Sequence, residues 1–153
     1  MKKIVFLFTT AILFIFTTMM SCKKDNENVV EEDFVYKTIY KSGYSSNEEQ
    51  LIIRTAEEWK QLKEKINDPR SSSLSSEIDF NKFMVIAVFD KRRPSSGYDV
   101  EITDISTTAS EIRVTITYTS PKPTDGVLGV ITRPGHIIII HKTTKPIVFK
   151  LAQ

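Results

Sequence analysis

Two uninterrupted apolar runs decide what this chain can fold into. Phe83-Met84-Val85-Ile86-Ala87-Val88-Phe89 and Ile137-Ile138-Ile139-Ile140 are short, rich in β-branched residues, and carry no polar residue at alternate positions. A strand with one wet face alternates apolar and polar residues, because successive side chains point to opposite sides. Runs that do not alternate are strands buried on both faces. The rest of the chain has to supply cover above and below them.

Phe34 to Tyr40, dense in aromatic and β-branched residues, reads as a strand. Ser42 to Asn47 reads as a turn and Gln50 to Arg54 as a second short strand. Tyr98, Val100 and Ile102 alternate with Asp99, Glu101 and Thr103, and Ile112, Val114, Ile116 and Tyr118 alternate with Arg113, Thr115 and Thr117. These two segments are predicted to pair as a hairpin with one wet face, across a longer polar connection. Pro146 to Leu151 is a final strand, Arg70 to Ser76 a serine-rich loop, and Pro121 to Gly126 a stiff, turn-rich loop.

One helix is expected. Thr55-Ala56-Glu57-Glu58 is a capping-box sequence, in which the Thr55 hydroxyl accepts from the Glu58 amide and the Glu58 carboxylate reaches back to Thr55. Trp59, Leu62 and Ile66 then fall on one face at helical spacing, and Asn67-Asp68-Pro69 ends the helix. The predicted fold class is α+β: mainly an antiparallel β-sheet or open β-sandwich with one amphipathic helix packed on it.

The N-terminus belongs to a different argument. Met1-Lys2-Lys3 is a charged n-region and Ile4 to Phe16 an apolar core, too short and wrongly flanked for a spanning helix of about 20 residues. Met19-Met20-Ser21-Cys22 resembles a lipobox, with Met20 bulkier than the small residue common at that place. Cys22 is the sole cysteine, so an internal disulfide is excluded, and lipidation accounts for a lone exported thiol better than catalysis does. The expected organisation is a lipoprotein signal peptide over 1–21, an acylated Cys22 with a flexible tether over 22–33, and a single β-rich domain over 34–153. Acyl chains on Cys22 would tie the chain to a membrane. The expected location is that of an outer membrane lipoprotein, surface-exposed or periplasm-facing, since the lysines and acids after Cys22 resemble a surface-export signal.

Charge removes one class of partner. The chain has 21 Lys+Arg against 19 Asp+Glu; once Lys2 and Lys3 leave with the signal, 19 of each remain. A nucleic-acid binder carries a basic surplus, so no nucleic-acid partner is expected.

Catalytic chemistry is sparse. His136 and His141 are five apart on a predicted strand, hence on opposite faces, with no metal-ligand spacing around them. They read as strand-end or surface histidines. Glu57-Glu58 opens the helix and Glu31-Glu32-Asp33 lies in the tether, so neither is a credible acid–base pair. There is no Gly-x-Ser-x-Gly elbow and no phosphate-binding glycine loop. The expectation is a protein without catalytic residues, cofactor or metal. One connection stands out, Asp90-Lys91-Arg92-Arg93-Pro94-Ser95-Ser96-Gly97-Tyr98. Its cations and aromatic ring, held by proline and glycine, match the composition of interface hot spots. Lys91, Arg92, Arg93 and Tyr98 are therefore the candidate partner-binding residues.

From about Phe83 to Phe149 the sequence resembles the C-terminal domain of the PrcB family. The pattern is the apolar strand Phe83 to Phe89, then basic-Pro-Ser-x-Gly-Tyr at Arg93 to Tyr98, and the alternating strands Val100 to Ile105 and Ile112 to Tyr118 ending near Pro121. Thr132-Arg133-Pro134 then leads into the isoleucine run, and Lys145 to Phe149 closes the pattern. The chain departs from it at Asp90 and Ser96, where glycine is common. The resemblance implies a subunit that stabilises a secreted or surface protease complex, with no catalytic residues to carry over. The leading expectation is a lipid-anchored protein-binding module whose partner is a protease or another envelope protein. The alternative is a small-ligand or glycan-binding surface lipoprotein, with a pocket drawn from Tyr36, Tyr40, Tyr44, Trp59, Tyr98 and Tyr118.

Overall fold

The computed structural model describes residues 36–41, 47–66, 74 and 77–152. The expected signal peptide, Cys22, the tether, Tyr44 and most of the serine-rich loop lie outside the described residues.

Among the described residues, seven strands and one helix follow in the order β1 (Lys37–Lys41), β2 (Glu49–Ile53), α1 (Ala56–Ile66), β3 (Phe83–Phe89), β4 (Asp99–Thr107), β5 (Ile112–Thr119), β6 (Gly135–His141) and β7 (Ile147–Leu151). They make two sheets, one of four strands in the order β1-β6-β3-β2 and one of three in the order β4-β5-β7. Every pairing is antiparallel except that of β5 with β7, which is parallel. The two unalternating runs are β3 and β6, side by side at the centre of the larger sheet, from Phe83 opposite His141 to Phe89 opposite Gly135.

Their lack of alternation is explained by two cores, one on each face of that sheet. Met84, Ile86 and Val88 of β3 and Ile138 and Ile140 of β6 face the second sheet, meeting Val100, Ile102, Ile105, Ile112, Val114 and Ile116. Val85, Ala87, Phe89 and Ile137 face the other way, meeting Trp59, Leu62 and Ile66 of α1 together with Ile53, Tyr40 and Leu74. The layers are helix, four-stranded sheet, three-stranded sheet. Each aliphatic chain fully buried this way contributes about 1.5–3 kcal/mol, so the centre of the domain is its most stable part. Leu74, the described residue of the serine-rich segment, is buried on the helix side of the core.

The helix begins as its sequence requires. The Glu58 amide donates to Thr55 Oγ1 at 3.2 Å, while the Glu58 carboxylate accepts from the amides of Thr55 at 3.1 Å and Arg54 at 2.8 Å. These bonds hold the Glu58 carboxyl below its usual range, with the Arg54 amide the leading cause. Glu58 is thus occupied as a cap.

The hairpin of β4 and β5 has a shorter connection than expected, 108–111. A register shift between Ile102 and Asp104 inserts an extra residue into β4. This bulge turns Ile105 inward where strict alternation would have turned it out, and it lets the strand run on to Thr107. Thr108 then closes the turn, its hydroxyl accepting from the amides of Ser110 at 3.3 Å and Glu111 at 3.0 Å.

The expectation of strand-end or surface histidines holds for His141, which is exposed and packs its ring against Phe83 with centroids 5.1 Å apart. His136 is also at a strand end, the start of β6, but not at the surface: it is 1% exposed and buried between the sheets. Ile102 on β4 donates its backbone N–H to Nδ1 of His136 at 2.9 Å, and Nε2 lies 2.9 Å from Thr38 Oγ1 on β1. One imidazole thereby ties three strands from both sheets. An acceptor Nδ1 fixes the hydrogen on Nε2, so the ring is the neutral tautomer donating to Thr38.

Candidate docking rim

At the end of β3 the chain leaves the sheet but does not leave its partner. The β3–β6 ladder continues as a sparse ribbon: the Asp90 amide donates to the Pro134 carbonyl at 2.9 Å, and Arg93 and Thr132 exchange backbone bonds at 2.9 and 3.1 Å. Farther out, Ser96 and Leu128 pair. The Ser96 amide donates to the Leu128 carbonyl and the Leu128 amide donates to Ser96 Oγ, both at 2.9 Å. Thr132 Oγ1 adds a bond to the Ser95 carbonyl at 2.7 Å. The basic connection singled out in the sequence and the stretch before β6 therefore form one composite rim at one end of the sandwich.

The four candidate residues are divided by this geometry. Lys91 and Arg92 are exposed and make no ion pair among the described residues. Arg93 is committed inward: its Nε and Nη2 donate to the two carboxylate oxygens of Asp90 at 2.6 and 2.9 Å, and its guanidinium lies over the Tyr98 ring, 4.9 Å from the centroid. Asp90 is 1% exposed and also accepts from the Lys91 amide at 2.8 Å. The Asp90 hydrogen bonds push the Arg93 guanidinium still further toward its charged form. Asp90, Arg93 and Tyr98 make a buried-to-surface stack that shapes the loop, and Lys91 and Arg92 are the cations it offers outward. Tyr118 sits at the same end, its hydroxyl donating to Glu48 Oε1 at 2.8 Å; burial and that bond together push the phenol upward.

Gly97 joins the rim to the loop after β5. Among the described residues it is the glycine with positive φ, 88°, a region that other residues occupy only with strain. A Cβ there would also lie 2.9 Å from Pro121 Cβ and 3.3 Å from Val127 Cγ1. The turn thus places its left-handed residue at Gly97, which frees Ser96 to be a serine that holds Leu128. Gly97→Ala is expected to cost about 2–3 kcal/mol, combining left-handed strain with overpacking against a rigid proline ring. Urea unfolding of the two proteins checks this, and an unchanged midpoint would contradict it.

The part of the rim that sequence reasoning missed is Val127-Leu128-Gly129-Val130-Ile131. Its large side chains are exposed by 43% at Val127, 69% at Leu128, 51% at Val130 and 54% at Ile131, four of the six large hydrophobics exposed among the described residues. The turn is tight, with the Val130 amide donating to the Leu128 carbonyl at 2.8 Å around Gly129. The available signal was an apolar run that neither alternates nor sits between strand boundaries. Scattered exposed hydrophobics are ordinary, but a contiguous set on one loop is a candidate interaction surface. Exposed Lys122 and Arg133 flank this finger in sequence, and Lys91 and Arg92 lie on the adjoining loop.

Among the described residues, other chemistry is not gathered in a comparable way. His136 meets a threonine and a backbone amide rather than a serine and a carboxylate. Among the described residues no group of three His, Cys, Asp or Glu is placed to hold a metal ion. No described helix is long and apolar enough to cross a membrane. The aromatics of the ligand-binding alternative are dispersed: Tyr40 and Trp59 are in the helix-side core, Tyr98 and Tyr118 at the rim end, and Tyr36 is exposed.

Residues 84–141 match the family model described as PrcB C-terminal, the family the sequence resembles. The matched stretch runs from the start of β3 to the end of β6 and so contains both loops of the rim and the strands that carry them. No curated protein matches the chain, and no solved structure matches it.

Proposed function

We propose that this chain is a lipid-anchored accessory subunit that binds and stabilises a protease complex through the composite rim, without catalysing a reaction itself. The observation that carries this is the pairing of Ser96 with Leu128, which sets an exposed apolar finger beside exposed Lys91 and Arg92 within the segment that matches the family model. Interfaces of this kind place apolar anchors at the centre and charge at the edge, where it steers approach and excludes wrong partners. Acyl chains on Cys22 and the polar stretch after it would hold the rim in reach of envelope proteins.

The test is capture from crosslinked cells with full-length tagged protein. Wild type is expected to recover a protease or protease-associated protein, and the combined variant Lys91→Glu, Arg92→Glu and Leu128→Glu to lose at least about tenfold, which corresponds to 1.4 kcal/mol. Equal recovery by the variant would contradict the rim. Cys22→Ser is expected to leave the domain folded but uncleaved and out of the membrane fraction; normal fractionation would refute the anchor.

A further inference from the structure

Both loops of the rim change sheets. The connection 90–98 leaves β3 in the four-stranded sheet and enters β4 in the three-stranded one, and 120–134 leaves β5 and returns to β6. The shape of the rim therefore depends on how the two sheets are held together at that end. Side chains fasten them there: His136 Nδ1 accepts from the Ile102 amide at 2.9 Å, Lys41 Nζ lies 2.7 Å from Glu101 Oε1, and the Tyr118 hydroxyl donates to Glu48 Oε1 at 2.8 Å. Lys41, Glu101 and Glu48 are exposed or partly so, and polar pairs in that setting are held weakly against water. His136 is the buried fastener.

Its position gives that bond leverage. His136 stands two places after Pro134 and four after Thr132, whose backbones hold Asp90 and Arg93, and Ile102 stands four places after Tyr98. β4 is an edge strand with β5 as its strand partner, so the bond to His136 ties down its other side. We propose that His136 is an acid-sensitive fastener of the rim: the neutral ring holds β4 beneath the two loops and the protonated ring lets it go, so that the rim keeps a protein partner at neutral pH and releases it in acid.

The proton has one place to go. Nε2 carries the hydrogen donated to Thr38, so Nδ1 must take the second one, and it then presents a donor to the Ile102 N–H. Two donors cannot share that contact, and ring and amide part. Burial is the largest influence on the ring and keeps it neutral to below its ordinary 6.5. Lys41 of β1 also opposes the added charge, Asp99 and Glu101 of β4 favour it, and β3 places uncharged Val88 opposite. The Lys41 bond holds the Glu101 carboxyl low and burial pushes the Tyr118 phenol up, so both titrate away from this range. A partner that binds the fastened rim alone loses up to tenfold in affinity per pH unit below the native pKa of the ring. In taking the rim as a binding surface the inference rests on the proposed function; the fastener itself needs no partner.

Nitrogen-15 NMR of the full-length chain in detergent, titrated from about pH 7.5 to about pH 5, reads the fastener directly. The imidazole nitrogens of His136 are expected to show a midpoint below 6.5, with Nδ1 bare above it. The amide protons of Ile102, Ser96, Leu128 and Thr132 should move toward water-exposed values with that same midpoint. Those of Ser110 and Glu111, in the turn at the far end of β4 and β5, should not. His136→Asn sets a side-chain oxygen near the place of Nδ1 and takes no proton in this range, so its rim amides should stay put throughout. If it does not fold, His136→Leu is the non-titrating control, and its rim amides should likewise be insensitive to pH. Capture of a protease-associated partner from crosslinked cells should fall at least about tenfold between about pH 7.5 and about pH 5 for wild type and less than about twofold for the control. Rim amides that ignore the titration of the ring, or that move alike in the control, would overturn the proposal. Movement of Ser110 and Glu111 together with the rim would mean a general loosening and would overturn it as well. Capture by wild type that is equal at both pH values leaves the proposed function standing and sinks this inference. Rim amides that respond as expected, with no partner captured at any pH, leave the fastener standing and sink the proposed function.

Discussion

Arg93→Met is expected to lower the unfolding free energy by about 3 kcal/mol, whereas Lys91→Glu with Arg92→Glu should leave it within about 0.5 kcal/mol. The three cations are consecutive, yet their surroundings differ in kind. Arg93 donates twice to Asp90, whose carboxylate is 1% exposed and keeps only the Lys91 amide as a partner once the guanidinium is gone. A buried carboxylate without its counter-charge costs far more than the pair gained when both were present. Methionine keeps an aliphatic stem but gives up the guanidinium over Tyr98, so the loss reports the charge, the forked hydrogen bonds and the cation–π contact more than packing. Removing both members should be milder than removing Arg93 alone: Asp90→Ala with Arg93→Met is expected to recover part of the loss, giving a coupling of about 1–3 kcal/mol in a double-mutant cycle. Chemical unfolding of the four proteins measures it. Additive losses would mean that Asp90 and Arg93 act separately and that the loop is held by its backbone bonds to Pro134 and Thr132.

The same experiment separates shape from recognition. If Lys91 and Arg92 serve a partner while Arg93 serves the loop, the first pair should change capture without changing stability, and Arg93→Met should change both. Sequence composition could nominate all four residues, because three cations, a proline, a glycine and a tyrosine make a plausible hot spot. It could not divide them. Which cation turns inward depends on Asp90 being carried into the interior by the last residue of β3, a tertiary fact.

That division runs through the whole molecule. β3, β5 and the helix could be read from the sequence because each rests on a local period or motif: unbroken apolarity for β3, alternation for β5, a capping box and helical spacing for α1. Local periodicity also showed that β3 and β6 need cover on two sides. It did not show which element covers which face, nor that β7 joins β5 in parallel. The bulge in β4 was hidden because one inserted residue shifts the alternation without leaving a compositional mark. Leu74 was hidden among serines, where a single buried side chain has no pattern. The Val127–Ile131 finger failed for the opposite reason. Apolar residues predict burial, and here they are exposed on a loop whose Leu128 backbone is bonded to Ser96 of the neighbouring loop.

His136 is where a local rule gave half of the answer, and it carries the second large effect. Spacing placed His136 and His141 on opposite faces, which they occupy, but burial of one and exposure of the other follows from the layers. His136→Leu is expected to cost about 1–3 kcal/mol at pH 7.5, since it leaves the buried Ile102 amide without its acceptor, whereas exposed Thr38 turns to water. Its pH behaviour should be equally distinctive. Burial, aided by the Lys41 cation and opposed by Glu101 and Asp99, lowers the pKa of the native imidazole below 6.5. Protonating Nδ1 would also turn an acceptor into a donor facing the Ile102 N–H. As pH falls below 6.5 the unfolded chain takes a proton that the native ring refuses, so stability declines, by at most 1.4 kcal/mol per pH unit for one site. The decline stops once the native ring is protonated too. Wild type should therefore lose stability between about pH 7 and pH 5 relative to His136→Leu, and the gap between the two proteins should narrow as the pH drops. A gap that stays constant across that range would mean the ring accepts its proton as readily folded as unfolded, and that the bond to Ile102 does not set its tautomer.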